Sequence, residues 1–533
     1  MPFNVQDYGA AGDGATNDTS AVQRAITAAA TAGGGEVFFP EGVYPVAGAS
    51  LTNNLRLTGP GKIIGVEDSS SASFVDPGTA LENVVFTGLA FSRHEASTAY
   101  GCAIEIRSVG TALHTHIEIH ACTFDGIQAL YLDGFKDAIV SHCYVSNTMY
   151  EMYDDDPLAY FNQDVAAPLH SIELTDGAVN AFFFGTGENI VFTDNVLSRV
   201  LSAFACLSAE GVLFTDNLIH ETGFSAVVIR YNRSGTVARS VVCADNVIKG
   251  AGKAAIGLEL LGGDPTATAA LVSISNNVID GFGVYDGFTN ESDDPKSSDW
   301  KTTSGHSAIQ WNDHHQVATS GSIQISRNMI DGNQEEWPNR VTGANLIGRQ
   351  MTGISARGPS KMMSIEFNKI SNLQGRSISL DGADVGGTFA GEAIIQGNWV
   401  TNAGLDFPGD ELAAIRGWPG AIVASATKRI VVEGNVVRWS ESTQTGGDAL
   451  DGILIRNAAT CRCLSNEVTD ELHRMDYGFN VTSGVGRLIA HENFSEGATV
   501  APYLFSGPAV PGKHRNNIQA ANDTSPLTVW TWR

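Results

Sequence analysis

From about residue 80 the chain repeats one phrase: alternating apolar residues, a polar pair ending in Asn, then more apolar residues. It reads NIVFTDNVLS at 189–198, GVLFTDNLIH at 211–220 and SVVCADNVIK at 240–249. It returns as LVSISNNVID (271–280), SIQISRNMID (322–331) and MSIEFNKISN (363–372). The last copies are AIIQGNWVTN (393–402), IVVEGNVVRW (430–439) and CRCLSNEVTD (461–470). Cys122 and Cys143 stand in the Asn place of two earlier copies. Alternation with period two predicts strands, and Asn between two strands suits a tight bend because it tolerates the left-handed backbone region. A strand, an Asn bend, a second strand and a variable loop, stacked about a dozen times, predict an all-β parallel β-helix. One continuous core then replaces the three or four domains that length alone suggests.

The ends of such a stack need covering, because open strand edges attract pairing. TSAVQRAITAAAT at 19–31 reads as a short amphipathic helix, with Thr19 or Ser20 as N-cap and Val22 and Ile26 on its inner face. Gly33, Gly34 and Gly35 end it, and EVFFP at 36–40 begins the first strand. The expected organisation is an N-terminal cap over 1–50, a β-helix over 51–500 with insertions near 150–170 and 283–306, and a C-terminal cap segment over 501–533. Trp530 and Trp532 in that last segment would cover the final coil or meet a neighbouring subunit.

Composition narrows the partners. Charged residues make up 17% of 533, and 32 Lys+Arg against 58 Asp+Glu give a net charge of −26, so nucleic acid is excluded as a natural partner. No apolar run is long enough to span a membrane, and the N-terminus shows no basic region followed by an apolar core. The expected location is extracellular or virion-associated. Seven cysteines at irregular spacings match neither a zinc site nor a disulfide framework, and read as buried small apolar residues. His114 and His116 share one strand face at most, which is too few ligands for zinc.

The opening FNVQDYGAAGDGATNDTSAVQRAITAAATAGGGEVFFPEGVYPV, residues 3–46, resembles the N-terminal cap of the pectate-lyase-like superfamily of polysaccharide lyases, family-28-like glycoside hydrolases and phage tailspikes. That resemblance implies a right-handed parallel β-helix acting on polysaccharide, with homotrimers among the phage members. The catalytic signatures of its polygalacturonases and mannuronan epimerases are absent in their usual form, and Gly305-His306 and Asp154-Asp155-Asp156 are faint echoes. The GAAGDG stretch at 9–14 precedes a helix without a preceding βαβ strand, so it is not read as a dinucleotide loop.

The pleat predicts a groove. In each coil one strand follows the variable loop, and its late outward positions give the line Asp133, Arg230, Glu259, Asn312, Arg357, Asp381, Arg416 and Arg456. The plain alternative is a surface salt-bridge ladder. Beside the line falls the 283–306 insertion, with Tyr285, Phe288, Asp293, Asp294, Asp299 and Trp300, followed by His306, Trp311, Asp313, His314 and His315. Aromatic planes beside carboxylates suit sugar rings. A glycosidase needs one carboxyl as acid and one as base or nucleophile. Asp313 with Glu259 or Asp381 is the expected catalytic pair. Arg230, Arg357, Trp311, His314, Arg416 and Trp300 are the expected substrate contacts.

The leading expectation is a glycoside hydrolase without a cofactor. Calcium at Asp154, Asp155 and Asp156 would require oxygens from other segments, so a solvated acidic loop is the simpler reading. One alternative is a polysaccharide lyase using His306, His314, Tyr231, Arg357 or Arg376 at a uronate. The other is a non-catalytic carbohydrate-binding rod.

Overall fold

A computed structural model describes residues 1–66, 71–94, 102–148, 180–222, 225–231, 237–252, 254–260, 268–282, 307–313, 320–332, 337–338, 345–346, 352–358, 360–373, 375–382, 391–403, 420–425, 427–440, 451–471, 475–482, 484–505, 514–515 and 518–519. They fall into two units. The first is built mainly from Met1–Tyr231 with Val241–Ile248, the second from Lys249–Asn339 and Asn345–Arg533. Within each, the chain winds as a right-handed parallel β-helix, placing one strand per coil in each of three parallel sheets. Sheet 1 holds the strand before the bend, such as Gly187–Thr193 and Ala209–Thr215. Sheet 2 holds the strand after it, such as Val196–Val200 and Leu218–Thr222. Sheet 3 holds the strand after the variable loop, such as Ser202–Leu207 and Val227–Tyr231. Among the described residues sheet 3 has seven strands in the first unit and eight in the second, more coils than the dozen expected. The copies at Cys122 and Cys143 bend at Ala121 and His142; the repeat did not count the coil that bends at Gly88 before buried Leu89, nor the one that bends at Glu492 before Asn493.

The bend differs from expectation in one respect. The left-handed residue is the one before each Asn: Asp194 (φ 57°), Asp216 (φ 58°), Asp245 (φ 59°), Arg327 (φ 56°) and Phe367 (φ 56°). That turn aims the following Asn into the core, where its amide replaces the backbone partners that the bend removes. In the first unit Asn195 N–H and Nδ2 both donate to Asn217 Oδ1 at 3.1 Å, and Asn217 does the same to Asn246 at 3.0 and 2.9 Å. In the second unit the ladder runs from Asn277 through Asn328, Asn368, Asn398, Asn435 and Asn466 to Asn493. Cys143 does occupy the Asn place: its N–H donates to Asn195 Oδ1 at 2.9 Å.

Parallel register stacks like on like. Phe91 lies on Phe124 with centroids 4.9 Å apart, and Phe192 on Phe214 at 5.1 Å. Sheet 3 opens in most of the described coils with a small buried residue, among them Ala129, Ala203, Ala226, Ala308, Ala421 and, with side chains excluded by the core, Gly353 and Gly452. A side chain on Gly452 would meet the Val468 methyl at 2.4 Å. The six described cysteines other than Cys102 are buried, and all seven are free.

The helix spans Thr19–Thr31 and buries Val22, Ile26 and three alanines. Its N-cap position is Asp18, not Thr19 or Ser20. The buried Asp18 carboxylate accepts from the N–H groups of Ala11 and Gly12 at 2.6 and 3.0 Å. Asp13 accepts from Ala15 and Thr16. The loop's amides are thus engaged by its own carboxylates, which leaves no cradle for phosphate. Gly12 (φ 63°) is required there, since a Cβ would lie 2.8 Å from the Tyr44 ring. Among the described residues no helix is long and apolar enough to cross a membrane. The insertions near 150–170 and 283–306, with Asp154, Asp155, Asp156, Trp300 and His306, lie outside the described residues, as do Trp530 and Trp532.

Candidate functional site

The outer face of sheet 3 in the second unit carries the expected line in continuous register. Glu259 pairs with Asn312, Asn312 with Arg357, Arg357 with Asp381, and Asp381 with Ser425. Arg456 follows, its N–H donating to Ala424 O at 2.9 Å. Neighbouring strands lie ~4.8 Å apart, so these groups form a column with one side chain per coil. Gln310 Nε2 donates to Glu259 Oε1 at 3.1 Å, and Ser425 Oγ to Asp381 Oδ1 at 3.1 Å. Glu259 and Asp381 are half-buried and Arg357 is exposed.

Other expected residues fall elsewhere. In the first unit Asp133 is nearly buried, and its Oδ1 accepts from Thr186 N–H at 2.6 Å, closing a turn of the next coil. Arg230 is half-buried on that unit's sheet 3, opposite Leu207. Trp311 is 0% exposed and points into the core between Leu258 and Ala356, so it is not a substrate contact. Inward parity overrides its affinity for sugars. Asp313 is in register with Leu260, one position past the row, and its side chain lies outside the described residues. His314 and Arg416 also lie outside them. The strand paired with Arg376–Asp381 in sheet 3 is Ile422–Ser425, so Ser425 holds the column position expected for Arg416. Tyr231 is buried with its hydroxyl unpartnered, and burial pushes its pKa well up. It is no base for an elimination. His114 is also buried, with Leu81 N–H on Nδ1 at 3.0 Å and Arg107 O 2.8 Å from Nε2, while His116 lies partly exposed beside Glu118.

Two further groups stand on this face: Arg376, expected only as a base for elimination, and Asp451, which no sequence pattern singled out. Arg376 opens the strand Arg376–Asp381 and is in register with Thr352. Burial and Arg456 pull its guanidinium down to about 10, against the effect of Asp381. Asp451 precedes Ile453–Ile455, and because Gly452 turns inward, Asp451 turns outward. Asn480, which faces outward between inward Phe479 and Val481, donates from Nδ2 to Asp451 Oδ2 at 2.7 Å. Burial pushes the Asp451 carboxyl up to about 7; Asn480 opposes this, Asp476 adds to it, and the Tyr477 N–H opposes it. Asp451 is 2% exposed. Extending the pairing of Ile453 with Phe479 sets Tyr477 opposite Asp451, with Asp476 one residue earlier. The Asp451 and Asp476 Cα positions are then about 6 Å apart. A protonated carboxyl, a second carboxylate on the next coil and a nearby column of polar groups can together bind hydroxyls and transfer a proton.

Residues 2–85 match the family described as rhamnogalacturonase A/epimerase, pectate lyase-like. Mannuronan C5-epimerase AlgE3 of Azotobacter vinelandii is 53% identical over 58 residues, covering 11% of this chain and 3% of that protein. Alginate lyase 7 of the same organism is 58% identical over 48 residues, covering 9% of this chain and 6% of that protein. The chain thus matches only a small fraction of the length of these relatives. Among solved structures, a mutant tailspike protein of E. coli bacteriophage HK620 in complex with pentasaccharide aligns at 10% identity and TM-score 0.49, covering 97% of this chain and 78% of that one. The chain opens with a segment similar to the pectate-lyase-like family and continues as the parallel β-helix which that similarity implies.

Proposed function

We propose that the protein binds a polysaccharide along the outer face of sheet 3 in its second unit and hydrolyses it, with Asp451 as proton donor. The observation that carries this reading is the Asp451 carboxyl held by Asn480 Nδ2 at 2.7 Å with Asp476 on the adjacent coil, a place where burial pushes it up to about 7. A glycosidase needs such an acid beside a second carboxylate, and Asp476 on the adjacent coil supplies one. Glu259 and Asp381 are three strand steps apart, roughly 14 Å, too far to act as a pair. With Arg357 they are assigned to holding substrate hydroxyls. Asp313 with Asp381, two steps and roughly 10 Å apart, is the alternative pair. The relatives' names include epimerase and lyase, but their matched segments are shorter than the span from Glu259 to Arg456 and do not choose the reaction. The same reading puts the protein outside the cell or on a virion, where such polymers occur.

The test is a screen of neutral and acidic polysaccharides for new reducing ends. Asp451→Asn is expected to lower kcat by at least ~100-fold with little change in KM. Wild-type kcat should fall as pH rises through about 7, because the donor must carry its proton. One observation favours elimination as a second reading, namely the lowered Arg376, which would serve as base at a uronate. An unsaturated, ultraviolet-absorbing product, lost in Arg376→Lys, would establish that reading and overturn hydrolysis.

A further inference from the structure

A second patch lies on different sheets of the same unit. At the corner between sheets 1 and 2, Phe367 is 52% exposed, Met329 46% and Trp399 41%. These are large apolar side chains left at the surface, flanked in register by half-buried Val278 beside Met329 and Val436 beside Trp399. Met329 pairs with Lys369, and Lys369 with Trp399, so the three follow one another on successive coils, ~4.8 Å per step. Phe367 takes the left-handed bend position (φ 56°), and its ring lies flat against the next bend. A Cβ on Gly397 would come within 2.6 Å of that ring. The ring is therefore held in place two residues from Trp399. The Arg438 guanidinium sits 4.9 Å from the Trp399 centroid and pairs with Glu467 at 2.6 Å, orienting the indole.

Charge separates this patch from a generic apolar stripe. Arg327 and Lys369 are exposed, and among the described residues neither has an ion pair, although the chain carries −26 overall. Two unengaged cations beside ordered aromatic planes complement a ligand with apolar ring faces and negative groups. We infer that the corner formed by Arg327, Phe367, Lys369 and Trp399 is a binding site for an acidic polysaccharide, separate from the sheet 3 face. The pyranose C–H faces stack on Phe367 and Trp399, and the carboxylates or sulfates pair with Lys369 and Arg327. A second copy of this chain is the competing occupant. An apolar partner face would desolvate Arg327 and Lys369 without pairing them, whereas carboxylates or sulfates pair both, which favours the glycan.

Affinity electrophoresis in gels containing polygalacturonate, heparin or dextran tests the site independently of any cleavage, with sedimentation velocity on the same samples. The wild type should be retarded by an acidic polymer and not by dextran, less so as salt rises from about 50 to 300 mM. Trp399→Ala and Lys369→Glu should each weaken that retardation at least tenfold, and Lys428→Ala, which removes an exposed cation on the sheet 1 strand Thr427–Glu433, should leave it unchanged. These side chains are exposed, so circular dichroism should be unchanged. Three results would each overturn the site: no retardation by either acidic polymer, retardation indifferent to both variants, or a wild-type oligomer that Trp399→Ala or Lys369→Glu dissociates. The last would make the corner an interface between copies. Hydrolysis at sheet 3 stands or fails separately, on the products formed.

Discussion

Parity along a strand governs what a side chain can do here more strictly than its chemistry does. Asn312 and Trp311 are neighbours, yet one lies in the outward column and the other is sealed in the core with its Nε1–H unpartnered. Assigning Asn312 outward already implied that Trp311 points in. Its presence beside acidic and histidine residues suggested a sugar platform, and the pleat overrides that suggestion. Truncating Trp311 to Ala should therefore cost about 3–5 kcal/mol of stability, read by urea unfolding. Trp311→Phe should leave glycan binding unchanged. A loss of binding in a folded Trp311→Phe protein would show that the ring reaches the ligand. Asp451 is the reverse case. DGILIRN shows an Asp at a strand start, but its raised pKa comes from packing by other coils, and no local pattern reports that.

At the scale of a coil, the sequence announced the bend and misassigned its geometry. The repeating Asn was legible because the same amide must satisfy the same backbone groups in every coil. The left-handed residue before it was not, since that place accepts Asp, Arg, Phe, Ser or Gly without a shared pattern. Each buried Asn serves its neighbours. Asn398 Oδ1 accepts from Asn368 N–H and Nδ2, both at 3.0 Å, while its own Nδ2 donates to Ile365 O at 2.8 Å. Replacing Asn398 with Ala leaves buried donors and an acceptor unsatisfied in one step, and should cost about 2–5 kcal/mol. Asn398→Asp should be similarly harmful near neutral pH, because it loses the donor and buries a charge. Thermal unfolding of both variants checks this. A shift as small as that of an exposed Asn would show that the ladder is ornamental. The early coils, with Cys122 and Cys143 at this place, were readable only by aligning them to the later copies.

For the whole chain, the −26 charge and the Asp451 carboxyl act on stability in the same direction and can be told apart. Folding concentrates the negative charge, so the native state should strengthen as pH falls from 8 toward the isoelectric point near 4.8. Asp451 adds a second slope. Its folded value of about 7 lies above the ordinary 3.8, so between those values the native state holds more protons than the unfolded chain. Stability from this group therefore falls as pH rises through that window, and the penalty, on the order of a few kcal/mol, is complete above about 7. The melting temperature should be higher at about pH 5.5 than at pH 8. Added salt should recover part of the loss by screening surface repulsion, but not the part that arises in a buried site. Asp451→Asn should remove that remainder, making the variant more stable than the wild type at pH 8 and nearly equal to it at acid pH. A carboxyl retained against its own stability cost is expected where function needs a proton. If the variant melts lower at pH 8, the hydrogen bonds to Asn480 and Tyr477 outweigh desolvation, and the case for Asp451 as proton donor loses its physical basis.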